Sequence, residues 1–171
     1  ELRRFVSRHF HRSPYDYRMV WKTFTEGTAS RVEQAGLCRE LVRLTADTFH
    51  ALSVSIWLVD DKGESLNVAA STSPPSATDT VSPVRLGDAQ VLRQWFSAHP
   101  EPVDIETSET EWAEILRRYH ASQFDEGGHR VCVPILGRGE LRGVLLVGDR
   151  VGGVPFTLED FDMLKCVGDH S

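Results

Sequence analysis

Cysteine is scarce in this chain, and the few present do not form a framework. Cys38, Cys132 and Cys166 are odd in number and show no CxxC spacing. That argues against disulfide scaffolding and for a reducing, cytoplasmic setting. Long apolar runs are also missing: none approaches the length of a membrane span, and no signal peptide is visible. What remains, 40% apolar and 26% charged residues over 171 positions, suits one ordinary globular domain with an appended segment. The chain opens on Glu1 without a Met, and a helical pattern is still running at Ser171. A larger protein around it is therefore expected.

The net charge of −6 is unevenly spread. Arg3, Arg4, Arg8, Arg12, Arg18, Lys22 and Arg31 face only Glu1, Asp16 and Glu26 in the first 31 residues, so the leader is basic and the remainder acidic. A basic leader can bind nucleic acid or lie against an anionic inner leaflet. Aromatics at helical spacing and the lack of a nucleic-acid motif favour the membrane side and no nucleic-acid partner.

Period-two alternation is clearest in Arg130–Asp149. Val131, Val133 and Ile135 alternate with Cys132, Pro134 and Leu136. Gly137-Arg138-Gly139-Glu140 supplies a turn, and Leu141–Val147 a second, almost wholly apolar strand. This predicts an antiparallel hairpin at the centre of a sheet, with Pro134 beside a bulge or facing an edge. Phe156-Thr157-Leu158-Glu159-Asp160-Phe161 then reads as a helix start, with Thr157 as N-cap and Phe156 stapled to Phe161.

Upstream, Tyr17, Trp21 and Phe24 form a coiled-coil-like stripe. Ser30 with Glu33 is a capping-box pattern that opens the next helix, which runs to Phe49. Ser53–Val59 and Leu66–Ala70 read as a hairpin around Asp60-Asp61-Lys62-Gly63. Residues 71–83 are polar and Pro-rich, a loop expected to be mobile. Val91, Leu92, Trp95 and Phe96 share a helix face, Val103–Ile105 is a short strand, and Ser108 with Glu111 predicts a second capping box before a helix carrying Trp112, Ile115, Leu116 and Tyr119. The order is helix, two strands, helix, short strand, helix, two strands, helix. That predicts an α+β fold with an antiparallel sheet and helices packed on its faces.

Taken together, Val133-Pro134-Ile135-Leu136, Gly143-Val144-Leu145-Leu146 and Phe156-Thr157-Leu158-Glu159-Asp160 resemble the end of a GAF domain, and Leu58-Val59-Asp60-Asp61-Lys62-Gly63 is similar to its opening hairpin. A PAS domain, the nearest rival, places its helices before the last three strands and does not open on so long a helix. The leader, His9-Phe10-His11-Arg12, Tyr15-Asp16-Tyr17-Arg18 and Trp21-Lys22-Thr23-Phe24-Thr25, resembles the membrane-to-GAF juncture of PrsK-type sensor histidine kinases, which are associated with PEP-CTERM/exosortase and exopolysaccharide systems. Phe161–Gly168 is similar to theirs as well.

That resemblance implies a juxtamembrane basic segment and signalling helix over 1–29 and a GAF domain over 30–171 leading to a kinase transmitter. It implies a homodimer on the cytoplasmic side of a bacterial inner membrane, a cognate response regulator, and ATP with Mg for the parent kinase. The residues in hand contain no Asp-x-Gly-x-Gly box, and His170 lacks a phosphoacceptor context. This stretch is therefore expected to be non-catalytic and without a cofactor.

The stripe Tyr17, Trp21 and Phe24 either packs onto its own domain or meets its twin across a two-fold axis. Flanking helices that would signal in a dimeric kinase favour the second, and dimerisation is assigned to these three residues with Leu164. Trp57, Trp95 and the Val131–Val133–Ile135 face either fill the core or line a ligand cavity, with Arg93 or Arg130 at its rim for an anion. The Asn-Lys signature of cyclic-nucleotide GAF domains is missing upstream of Phe124-Asp125-Glu126. Cys132 alone could not resolve a sulfenic acid, as a free methionine sulfoxide reductase must. His9 and His11 do not make a metal site, and no metal is expected.

Overall fold

The computed structural model describes residues 22–23, 26, 28–72, 83–120, 129–148 and 150–168. Helix α1 (Arg31–Phe49) starts at the predicted box: the Glu33 N–H donates to Ser30 Oγ over 3.2 Å, and the Ser30 N–H donates to Glu33 Oε2 over 2.8 Å. These bonds, the backbone one first, hold the Glu33 carboxyl below its usual range. The helix ends on His50 in the left-handed region, with φ 51°. A hairpin follows, β1 (Val54–Val59) and β2 (Leu66–Ser71), then α2 (Leu86–Ala98), β3 (Val103–Asp104) and α3 (Glu111–His120). The chain closes with β4 (Val131–Gly137), β5 (Glu140–Val147) and α4 (Leu158–Gly168).

One antiparallel sheet, ordered β2-β1-β5-β4-β3, joins all five strands. The expected central hairpin is β4–β5, closed by Arg138 and Gly139, both at positive φ, as a two-residue hairpin turn requires. β3 pairs only with Val131 and Cys132, so Pro134 lies past its end, next to a register shift at Ile135/Leu136. The missing N–H of Pro134 therefore costs no β3–β4 hydrogen bond.

Strand alternation divides the core in two. Beneath one face, Val54, Ile56, Val131, Val133, Ile135, Leu145 and Val147 meet α1 through Leu37, Cys38, Leu41, Val42 and Phe49, and α4 through Leu164. Trp57, Cys132, Leu141, Val144 and Leu146 meet α2 and α3 on the other face, through Leu92, Phe96, Trp112, Ile115 and Leu116. Both faces are covered, which is why β5 reads as a nearly continuous apolar run. Bulges adjust the phase: Leu136 pairs with Leu141 while Ile135 pairs with Gly143, so Leu141 and Val144 share a face although three residues apart.

The predicted start of α4 holds. The Thr157 N–H donates to Asp160 Oδ2 over 2.7 Å, the Asp160 N–H donates to Thr157 Oγ1 over 3.2 Å, and the Phe156 and Phe161 rings meet edge-on at 6.5 Å. The box expected at Ser108 does not form. Helix α3 begins at Glu111, so Glu111 occupies the first helical position instead of the third, and Ser108 Oγ pairs with Thr110 Oγ1 at 2.7 Å. Among the described residues, no helix is long and apolar enough to cross a membrane.

Candidate functional site

Between the sheet and the α2–α3 layer lies the aromatic part of the molecule. Trp57 rises from β1, and its indole N–H donates to Ser55 Oγ over 3.3 Å. Helix α2 brings Phe96 and half-buried Trp95; α3 brings Trp112. Trp95 stacks on Trp112 at 5.6 Å, and the exposed His99 ring stacks on the outer side of Trp95 at 3.8 Å. Phe96 meets the edge of Trp112 at 5.3 Å. A ladder of three stacked rings thus runs from the surface at His99 to Trp112, which is only 2% exposed. The Trp112 indole N–H, buried there, has no hydrogen-bond partner among the described residues. Such a donor loses its hydration without replacement, at a cost of about 1–3 kcal/mol.

The expected pocket does not assemble as drawn. Trp57 and Trp95 lie on the α2–α3 side, whereas Val131, Val133 and Ile135 point to the α1–α4 side and are fully buried there. The residues of β4 that share the Trp57 face are Cys132 and Leu136. Register decides this: Trp57 pairs with Val144, and Val144 pairs with Pro134, so the even-numbered positions of β4 align with Trp57.

The two arginines expected at a rim already hold protein groups. Arg93 Nη1 donates to the Gly63 carbonyl over 2.9 Å, tying α2 to the β1–β2 turn. Arg130, 8% exposed, is paired with Glu106 at 2.5 Å and links the start of β4 to the β3–α3 connection. That connection is also gripped by Arg117, which donates to the carbonyls of Ile105 at 2.6 Å and Ser108 at 2.9 Å. Arg117 carries no sequence signal, because its partners are loop carbonyls.

Thiol chemistry is suppressed at Cys38 and Cys132. Burial pushes the Cys38 thiol up to about 12 and raises Cys132 as well. A thiol held protonated is a poor nucleophile and a poor metal ligand. Among the described residues no group of histidine, cysteine and carboxylate side chains could hold a metal ion. Leu164, expected on a dimer seam, is fully buried in the core of its own chain. Tyr17, Trp21 and Phe24 lie outside the described residues.

The profile described as GAF domain matches residues 33–170. The chain belongs to the GAF domain family. Solved structures agree on the fold of this GAF domain. Residues 122 to 287 of a methyl-accepting chemotaxis protein superpose with a TM-score of 0.63 at 18% identity, covering 88% of this chain and 90% of that one. The GAF domain of a phosphoenolpyruvate-protein phosphotransferase from Coxiella burnetii gives 0.61 at 15% identity, covering 99% and 87%. A type II free methionine-R-sulfoxide reductase from Thermoplasma acidophilum gives 0.55 at 14% identity, covering 81% and 89%. No curated protein matches the chain.

Proposed function

We propose that this GAF domain is the sensory and relay module of a membrane-bound sensor histidine kinase resembling the PrsK type, acting in exopolysaccharide or PEP-CTERM protein production. One observation carries the relay part. The first and last helices of the domain, α1 and α4, share one core on the same sheet face, so displacement of one bears on the other. The kinase part rests on the leader and on Phe161–Gly168, whose residues are similar to the corresponding segments of those kinases. In this reading the parent is a homodimer at the inner membrane, it uses ATP and Mg, and it phosphorylates a response regulator. Reorientation of paired terminal helices biases the kinase between two states.

Two measurements test it. The parent protein incubated with ATP and Mg should acquire phosphate on a histidine, and a parent that acquires none is not a kinase. Sedimentation equilibrium of this chain should show a dimer weakened by Trp21→Glu; a monomer at every concentration removes the dimer.

A second reading, a small-molecule receptor, is favoured by the unpartnered indole N–H of Trp112 beside the half-buried Trp95. A ligand there would offer an acceptor to that donor. Thermal-shift screening with nucleotides, hemes and metabolites should find a compound that raises the melting temperature of the wild-type chain more than that of Trp112→Phe.

A further inference from the structure

The end of α1 and the start of α4 are far apart in sequence, yet one side chain grips both. Arg150 follows β5 and forms an isolated antiparallel bridge with Ala51, directly after α1. Its Nε donates to the carbonyl of Phe49, the last residue of α1, over 2.9 Å. Its Nη1 donates over 2.9 Å to Asp160 Oδ2, the same oxygen that accepts from the Thr157 N–H and hydroxyl at the start of α4. The guanidinium carbon lies 5.5 Å from the centre of the Phe156 ring, and Phe156 packs against Phe161 of α4. A further bond, from the Val151 N–H to the His50 carbonyl at 2.7 Å, closes the junction.

We propose that Arg150 is a positioning residue that clasps the C-terminal end of α1 to the first turn of α4, so that a change in one helix end is passed to the other. Three features support a mechanical role beyond simple surface pairing. The pair is largely shielded, with side-chain exposures of 17% for Arg150 and 15% for Asp160. The planar fork of an arginine serves two acceptors at once, which a lysine ammonium on a flexible stem does less rigidly. Both acceptors are helix-terminal groups: a carbonyl left over at the end of α1 and the carboxylate that caps α4. Every contact lies within one chain, so the inference holds whether or not the parent is a kinase.

The test is transmission of a local perturbation. Ala46→Gly weakens the last turn of α1 through the greater conformational freedom of glycine, at the residue whose carbonyl accepts the N–H groups of both His50 and Ala51. Amide hydrogen exchange is then followed at Asp160 and Phe161, whose N–H groups are bonded to Thr157. With Arg150 in place, Ala46→Gly should speed exchange in the last turn of α1 about fivefold and at Asp160 and Phe161 by at least half that factor. In the Arg150→Met background α1 should respond as before while the α4 amides stay at their new baseline. An equal response of α4 in both backgrounds, or none in the first, overturns the clasp. If Arg150→Met does not fold, Asp160→Asn provides the second background: it removes the charge at the α4 side while leaving the bond from Arg150 to Phe49, and the same outcomes decide.

Discussion

A β-carbon placed on Gly143 would stand 2.4 Å from the carbonyl oxygen of Trp57 and 2.9 Å from Leu58 Cδ2. Gly143 lies on the central strand, paired with Leu58 on one side and Ile135 on the other, next to the bulge that reorients Leu141. Its backbone is not at positive φ, so the requirement is for room alone. Since the nearest obstacle is main chain inside a sheet, it cannot rotate away. Gly143→Ala should destabilise the domain by about 2–3 kcal/mol in urea unfolding. A change below about 0.5 kcal/mol would mean that β1 and β5 separate more easily than this packing allows.

Gly36 makes the opposite case. It sits inside α1, and an added β-carbon meets nothing within 4 Å. Alanine there should stabilise the domain by about 0.5–1 kcal/mol, through helix propensity and a less flexible unfolded chain. Measured beside Gly143→Ala under the same conditions, it separates the effect of space from that of backbone freedom.

The same contrast shows what the sequence could reveal. Strands β1 and β4 were legible because period-two alternation needs only near neighbours, β5 because a short apolar run bounded by turns marks a strand covered on both faces, and the starts of α1 and α4 because a capping box spans four residues. Which face of β4 meets Trp57 was not legible. Alternation yields two sets of residues per strand but leaves open how the sets of different strands align; that is fixed by the Trp57–Val144–Pro134 register. Ser108 misled because the residue pattern of a box occurs two positions ahead of Thr110, the residue that directly precedes the helix. Arg150 gave no signal at all, since one of its acceptors is a backbone carbonyl 101 residues away.

The β4–β5 turn is open to improvement. Arg138 holds φ 53° and Gly139 φ 76°. The left-handed region costs a residue with a β-carbon about 1 kcal/mol, less for asparagine, and Asn-Gly is the favoured pair for this turn. Arg138→Asn should therefore raise stability by about 0.5 kcal/mol, seen as a higher urea midpoint at unchanged slope.

Cys38 and Cys132 bear on the sulfoxide reductase reading. In the folded chain neither should react with a thiol reagent at about pH 8 during a period that fully labels the urea-unfolded chain, because burial holds both thiols protonated and out of reach. Peptide mapping by mass spectrometry assigns the label to each cysteine separately. Rapid labelling of Cys132 in the folded state would reopen an enzymatic role on this fold.

Asp60 gives the chain a defined acid sensitivity. Its carboxylate organises the β1–β2 turn, accepting from the Glu64 N–H at 2.7 Å and the Ser65 hydroxyl at 3.0 Å. The Glu64 N–H is the main cause holding the carboxyl below the ordinary aspartate range, against a smaller opposing effect of burial. The unfolded chain therefore takes up this proton at higher pH than the folded one. It follows that the stabilisation from Asp60 is fully present above the unfolded pKa and is lost as pH falls through the folded value. Asp60→Asn keeps an acceptor oxygen but removes the titrating charge. The variant should melt below the wild type at about pH 6, and the gap should narrow steadily toward about pH 3. A gap that is constant with pH would show that the turn depends on the shape of the side chain and not on its charge.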